Sequence, residues 1–212
     1  MGVEKDMKYA IKKTFSLLLI SGILFMGASC AYRYTPLTSG ERIFFHSDID
    51  SVAIIPFLNF AQKGDTVDNI AEIFSSELAR YQEVRIVHPT SIARYLHEKA
   101  IVLTEGNIRR EALRIGTFFN VQNVIIGTVT EYNEFYPPVL GLSLELIDVK
   151  RDRTIAARSE VYDSGFNYVR IELEEYAAVK CLTDSLYKED LILHRFDLYM
   201  RFVCHQMVEK YF

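Results

Sequence analysis

The fold is decided by residues 121–164, "VQNVIIGTVTEYNEFYPPVLGLSLELIDVKRDRTIAARSEVYDS". The first part, 121–135, begins as a continuous apolar run and then alternates apolar with polar residues, which predicts a strand. The second part, 136–150, places a leucine at every second position: Leu140, Leu142, Leu144 and Leu146. A third strand is predicted over 153–164, after the turn "KRDR". The pattern indicates an antiparallel meander with one buried face and one hydrated face.

Upstream of the meander, short strands alternate with helices. A buried strand is predicted over 51–60 from its β-branched apolar residues, and apolar residues at helical spacing predict a helix over 65–81. The segment 83–89 predicts a second strand. Two helices are expected next, over 90–100 with Thr90 or Ser91 as N-cap and over 107–120 with Asn107 as N-cap, while Asp65 or Thr66 is the expected N-cap of the first helix.

Two helices rich in aromatic residues, 168–187 and 191–211, end the chain. The predicted order is therefore β-α-β-α-α-β-β-β-α-α. This order predicts an α/β (α+β) fold: a single mixed sheet with a C-terminal antiparallel meander, helices packed on it and two extra C-terminal helices. The inward phases of the elements predict a core that includes Ile54, Ile55, Ile73, Leu78, Val124, Ile126, Leu144 and Leu146.

The N-terminal residues have the order of a secretory signal peptide. Four lysines precede an uncharged run, 14–29, whose apolar part of about ten residues is shorter than the roughly 20 that span a bilayer. The run ends in "FMGASC" (25–30). Small residues directly before Cys30 resemble the bacterial lipobox, in which the cysteine becomes the lipidated N-terminus. The alternatives are a plain signal peptide, or an uncleaved anchor, with a chance cysteine.

The lipobox resemblance implies a signal peptide over 1–29, acylation of Cys30 by chains such as palmitate, a tether over 30–47 and a single periplasmic α/β domain over 48–212. Two or three acyl chains would anchor the protein firmly in a membrane. The residue after Cys30 is Ala31 rather than the aspartate that retains such proteins at the inner membrane. We therefore expect an outer-membrane lipoprotein of the cell envelope that faces the periplasm.

Composition limits the kinds of partner. The chain has 212 residues with 24 basic and 28 acidic side chains, and residues 1–29 contain four of the basic and two of the acidic ones. The remaining 183 residues suit one domain with a sizeable core, and their excess of acidic residues indicates no nucleic-acid partner, which would need a basic stripe.

The motifs of common enzymes are missing from the sequence. There is no G-x-S-x-G elbow, no phosphate loop, no G-x-G-x-x-G and no H-E-x-x-H. The spacing of His194, Cys204 and His205 with Cys181 fits no known set of metal ligands. The sequence therefore predicts no catalytic residue, no cofactor, no metal site and no enzymatic activity.

Two cysteines besides Cys30 fall in the predicted C-terminal helices. In an oxidising compartment, Cys181 and Cys204 can form a disulfide. The alternative is two independent buried thiols, because cysteine is often a small apolar core residue.

Four segments carry a family resemblance: "SVAIIPFLN" (51–59), "IAEIFSSELARYQEVRIVHPTSIARYL" (70–96), "ALRIGTFFNVQNVIIGTVTEY" (112–132) and "LGLSLELIDVKRDRTIAARSEVYD" (140–163). Together they resemble the periplasmic domains of the curli-secretion lipoprotein class and the amino-terminal domain of the Tol-system translocation protein. The fixed points are Pro56, Asn59, Gly127 and Asp148.

The chain also departs from those families. The turn "KRDRT" lacks their usual glycine, and the C-terminal helices belong to neither family. The chain is too short, and too poor in long alternating hairpins, for a secretion pore. The resemblance therefore implies a lipoprotein family that uses the same core for another purpose.

A candidate contact surface lies in "EYNEFYPPVLG" (131–141), which joins two predicted strands. Prolines cannot donate to a strand ladder, so the segment should form a loop at a sheet end or edge. Its aromatic residues Tyr132, Phe135 and Tyr136 would form an exposed apolar patch unless something covers them. The cover is either another envelope protein or the C-terminal helices of the same chain.

Two classes of function follow from these observations. The first is a non-catalytic envelope accessory or assembly factor that works through protein–protein contacts. The second is a periplasmic module that binds a ligand or glycan, or a hydrolase without a recognisable motif.

Overall fold

The computed structural model describes residues 49–61, 69–81, 84–181 and 188–212, all within the structural unit Gly40–Phe212. The signal peptide, Cys30 and the tether lie outside the described residues, as do the predicted caps Asp65 and Thr66. Those expectations therefore stay predictions.

Within the described ranges, the elements follow the predicted order with two additional breaks. The strands are β1 (Ser51–Ile54), β2 (Leu58–Asn59), β3 (Arg85–Val87), β4 (Asn123–Asn133), β5 (Val139–Asp148) and β6 (Arg153–Asp163). The helices are α1 (Ile70–Tyr81), α2 (Pro89–Glu98), α3 (Ile108–Phe118), α4 (Asn167–Cys181), α5 (Glu189–His194) and α6 (Phe196–Tyr211).

The strands form one mixed sheet in the order β3-β1-β4-β5-β6, with β2 also paired to β4. The strands β3, β1 and β4 are parallel, with Ala53 opposite both Val87 and Val124. The strands β4, β5 and β6 are antiparallel, with Leu144 opposite both Gly127 and Arg158. This arrangement confirms the predicted fold class and the C-terminal meander.

The sheet has two differently covered faces. The front face carries Val52, Ile54, Ile125 and the β5 leucines, and it packs against α1, α4, α5 and α6. The back face carries Ala53, Ile55, Val124 and Ile126, and it packs against α2 and α3. All eight predicted core positions are buried, with Ile126 the most exposed at 6%. Because successive side chains of a strand point to opposite faces, the strands contribute to two hydrophobic cores.

The predicted strand 51–60 is interrupted around Pro56. Three residues, 55–57, lie opposite only two residues of β4, 126–127, because the pairing stops at Ile54 and resumes at Leu58. Pro56 has no N–H to donate to the ladder, which favours this interruption. The ring of Phe57 lies over Gly127, where a β-carbon would overlap it. Glycine at 127 therefore permits the close approach.

Two helix starts differ from prediction. The helix predicted over 90–100 begins at Pro89, and its N-cap is His88, whose Nδ1 accepts from the Thr90 N–H at 3.4 Å. Thr90 and Ser91 are thus inside the helix. Asn107 is the N-cap of α3 as predicted, but its Oδ1 accepts from the backbone N–H of Thr104 at 2.7 Å rather than from its own helix.

The last predicted helix is divided at Arg195. This residue is extended, with φ −122° and ψ 102°, so α5 ends before it and α6 begins after it. The "KRDR" turn is closed without glycine because Asp152 adopts a left-handed φ of 46°. Aspartate tolerates that conformation better than most residues. None of the helices in the described part of the chain is long and apolar enough to cross a membrane.

Candidate partner-contact surface

The loop between β4 and β5 is held by the side chain of Asn133. Its Nδ2 donates to the carbonyl oxygens of Phe135 and Pro137, both at 3.0 Å, and its Oδ1 accepts from the Phe135 N–H at 3.2 Å. The Tyr136–Pro137 peptide bond is cis. The segment therefore forms a loop at the end of the sheet, in a shape that local hydrogen bonds define.

The three aromatic residues of this loop have different surroundings. Phe135 is 73% exposed and Tyr136 is 55% exposed. Tyr132 instead packs against the C-terminal helices, with its ring edge-to-face at 4.8 Å from that of Phe196. The same chain thus covers Tyr132, whereas more than half of the surface of Phe135 and of Tyr136 is exposed to solvent.

A second loop meets the first one. The Ser164 N–H donates to the Pro138 carbonyl at 3.1 Å, which joins the turn between β6 and α4 to the β4–β5 loop. Phe166 in this turn is 56% exposed and stacks on Tyr168 at 5.9 Å between ring centroids. We name Phe135, Tyr136 and Phe166 the aromatic rim.

Sequence reasoning did not find Phe166. Its local signal is the turn "DSGFN" directly after a strand, in which the Asp163 carboxylate accepts from the Gly165 N–H at 2.8 Å. Such a turn predicts an exposed loop, but its position beside Pro138 depends on how β5 and β6 pair.

Side chains of helices α4 and α5 contact Tyr136 of the rim. The Tyr136 ring stacks on the His194 imidazole at 5.4 Å with an interplanar angle of 9°. The Arg170 guanidinium lies 3.4 Å from the Tyr136 hydroxyl and 3.3 Å from the Glu189 carboxylate. These contacts limit the rotamers of Tyr136, so less conformational entropy would be lost when a partner covers it.

The histidines and cysteines considered for metal binding have separate roles. His194 stacks on Tyr136, whereas His205 lies 3.4 Å from the Glu77 carboxylate. No group of three or more metal-ligating side chains is assembled among the described residues.

Cys204 is a free thiol with no exposed surface. Burial raises the pKa of this thiol, which favours its protonated form at neutral pH. The side chain of Cys181 lies outside the described residues, and its pairing with Cys204 stays a prediction.

No protein-family model matches the sequence, and no curated protein matches it significantly. Among solved structures, the chain is similar to the lipoprotein GNA1162 from Neisseria meningitidis, with 15% identity and a TM-score of 0.49 over 65% of this chain and 99% of that chain. It is also similar to the C-terminal domain of LpoB from Salmonella enterica, with 13% identity and a TM-score of 0.46 over 57% of this chain and 87% of that chain.

A further similar structure is TolB from Acinetobacter baumannii, with 12% identity and a TM-score of 0.33. The similarity covers 65% of this chain and 29% of TolB.

Proposed function

We propose that the protein is a lipid-anchored envelope accessory protein without catalytic activity, and that it binds another envelope protein through the aromatic rim. The observation that carries this proposal is the exposure of Phe135, Tyr136 and Phe166 on two loops that are fixed to each other. Aromatic side chains supply large contact areas at low entropic cost, and they are enriched at the energetic centres of interfaces.

The placement of the rim suits contact with a partner. The two loops lie at one end of the sheet, beyond the β4 residues that pack against α6, so the rim can be covered without opening the core. We expect the chain segment that precedes β1 to start at a lipid on Cys30. An anchored domain on a tether can present such a surface to a neighbouring membrane protein.

The test compares two sets of variants of the full chain in bacterial cells. A photoreactive amino acid at position 171, an exposed position on α4 five residues after Phe166, records which proteins come close. Phe135→Ser combined with Tyr136→Ser should abolish the cross-linked adduct. Because these side chains are exposed, the melting temperature should stay near that of the parent.

The matched control is Phe118→Ser. Phe118 is 61% exposed, like the rim residues, but it ends α3 beside the start of β4, at the other end of an 11-residue strand. The control should leave the adduct unchanged. An adduct that survives the double variant, or a double variant that loses several kcal/mol of stability, would overturn the proposed contact surface.

A further inference from the structure

The strand β6 forms an edge of the sheet. It is 11 residues long, Arg153–Asp163, and β5 alone pairs with it among the strands that the structure describes. A strand of this length leaves a row of unpaired N–H and C=O groups along its second side, which is a ready template for another strand.

The side chains of β6 alternate between an open face and a covered face. On the back face, Ala157, Ser159 and Val161 are exposed. On the front face, Arg158 and Glu160 are half-buried and lie opposite Leu144 and Leu142 of β5. Two opposite charges, two residues apart on one face, therefore have only leucines as cross-strand neighbours.

Inside the chain, one of these two charged side chains contacts an aromatic ring and the other accepts a hydrogen bond. The Arg158 guanidinium lies 5.2 Å from the centre of the Tyr211 ring, and the Glu160 carboxylate accepts from the Tyr162 hydroxyl at 3.0 Å. Neither forms an ion pair with any part of the chain that the structure describes. Both are thus available to an opposite charge at the open edge.

The sequence of β6 is complementary to itself in one antiparallel register. When two copies pair about Ser159, Arg158 of each copy lies opposite Glu160 of the other, and Ala157 lies opposite Val161. Opposite charges directly across a strand pair are favourable, and like charges are unfavourable. Pairing about Arg158 would oppose two arginines, and pairing about Glu160 would oppose two glutamates.

Pairing about Ala157 or Val161 keeps the two faces but places no opposite charge across from Arg158 or Glu160. Registers that pair an odd position with an even one are excluded by the two faces of the sheet. Directly opposite residues point to the same face, so pairing an odd position with an even one would put the covered face of one copy beside the open face of the other.

The charges of Arg158 and Glu160 also act against pairing with strands of other proteins, because a strand without the complementary pattern would leave both charges unpaired at a dehydrated edge.

We propose that β6 is a homodimer interface, in which two copies of this chain pair edge to edge, antiparallel about Ser159, into one continuous sheet. The occupant of the free edge is a second copy because its β6 carries the charges that this edge requires. The interface is separate from the aromatic rim and does not depend on it.

The test uses Ser159→Cys in the full chain in cells. Directly opposite residues of an antiparallel pair have Cα atoms about 4.5–5.5 Å apart, a distance that a disulfide or a short thiol-to-thiol cross-linker can span. Oxidation or cross-linking should therefore give a covalent dimer. The parent chain, which keeps its native cysteines, should not.

The matched control is Ile155→Cys, which places an exposed thiol on the same strand. In the proposed register Ile155 lies near Asp163 of the other copy, so the two introduced thiols would be about 27 Å apart, at roughly 3.4 Å for each of eight residues. No dimer should form. Dimers of equal yield from both variants would mean random collision and would overturn the proposal.

Charge reversal tests the register. In the Ser159→Cys chain, adding Arg158→Glu should lower the dimer yield at least tenfold, and adding Glu160→Arg to that variant should restore it. A thermal melt of each variant checks the fold, because Arg158 contacts Tyr211 and Glu160 contacts Tyr162. A folded Ser159→Cys chain that gives no dimer, or a yield indifferent to charge reversal, would refute the interface.

Discussion

At the scale of the residue, Glu77 on α1 is the most completely buried charged side chain in the described part of the chain, with 0% exposure. Its Oε1 accepts from Arg80 at 2.7 Å, and its Oε2 lies 3.4 Å from His205 Nδ1 and 3.9 Å from Lys180 Nζ. The carboxylate thus links α1 to α4 and α6. Burial alone would raise the pKa of Glu77, but the hydrogen bond with His205 and the charges of Lys180 and Arg80 outweigh it and lower the pKa.

This lowered pKa makes stability depend on pH. A carboxyl group with a lower pKa in the folded than in the unfolded state stabilises the fold above its unfolded pKa, near 4.5. The contribution is lost as the pH falls through the folded value. We expect Glu77→Gln to reduce the free energy of unfolding at pH 7 by about 1.5–3 kcal/mol, the range for hydrogen bonds to charged groups.

Urea unfolding between pH 7 and pH 3 measures this effect. The difference in the free energy of unfolding between the parent and Glu77→Gln should become smaller once the pH drops below about 4.5. Glu174→Gln, on the exposed side of α4, is the control and should follow the parent at every pH. A gap that stays constant down to pH 3 would show that Glu77 does not stabilise the fold through its charge.

At the scale of the element, the side chains of β5 alternate between the front and the back face of the sheet. Leu144 is 2% exposed on the front face, while the adjacent Ser143 is half-buried on the back face. Leu144→Ala should reduce the free energy of unfolding by about 2–5 kcal/mol, because it removes buried apolar surface and leaves a cavity.

Ser143→Ala is the control within the same strand, and its effect should stay within about 0.5 kcal/mol. Chemical denaturation of both variants measures the difference. If the serine variant loses more stability than the leucine variant, the side chains of β5 point the opposite way, since a slip of one residue exchanges the two faces.

At the scale of the whole molecule, the aromatic rim and the β6 edge are different surfaces of one domain. The rim is built from the loops at the ends of β4 and β6, whereas the edge runs along the length of β6. A dimer formed through β6 would place two rims in one assembly. Two linked weak contacts give a much higher overall affinity than one, provided that the partner can engage both.

The membrane anchor is the last prediction at this scale. Cys30→Ser should abolish the incorporation of labelled fatty acid, because the thiol that accepts the lipid is removed. The control Cys181→Ser should incorporate label like the parent. Metabolic labelling followed by immunoprecipitation measures the result, and equal labelling of the Cys30→Ser chain would contradict the lipoprotein assignment.

The sequence by itself determined the single mixed sheet, the meander and the inward phases of its strands. The leucines of β5 alternate over a few residues, and the free energy of burying them depends on that local period, so the pattern can be interpreted without the fold. The loop at Phe135 and Tyr136 was predictable for the same reason, since Pro137 and Pro138 interrupt strand pairing wherever they stand.

Only the tertiary structure decided which of those residues remain exposed. Tyr132 is covered because Phe196, far along the chain, lies against it, and Phe166 joins the rim because the pairing of β5 with β6 brings Ser164 to Pro138. The contact of Glu77 with His205 and the division of the last helix at Arg195 likewise depend on how α1, α4 and α6 pack. Such contacts join residues distant in the chain, and local periodicity carries no information about them because their energy arises only when the elements have packed.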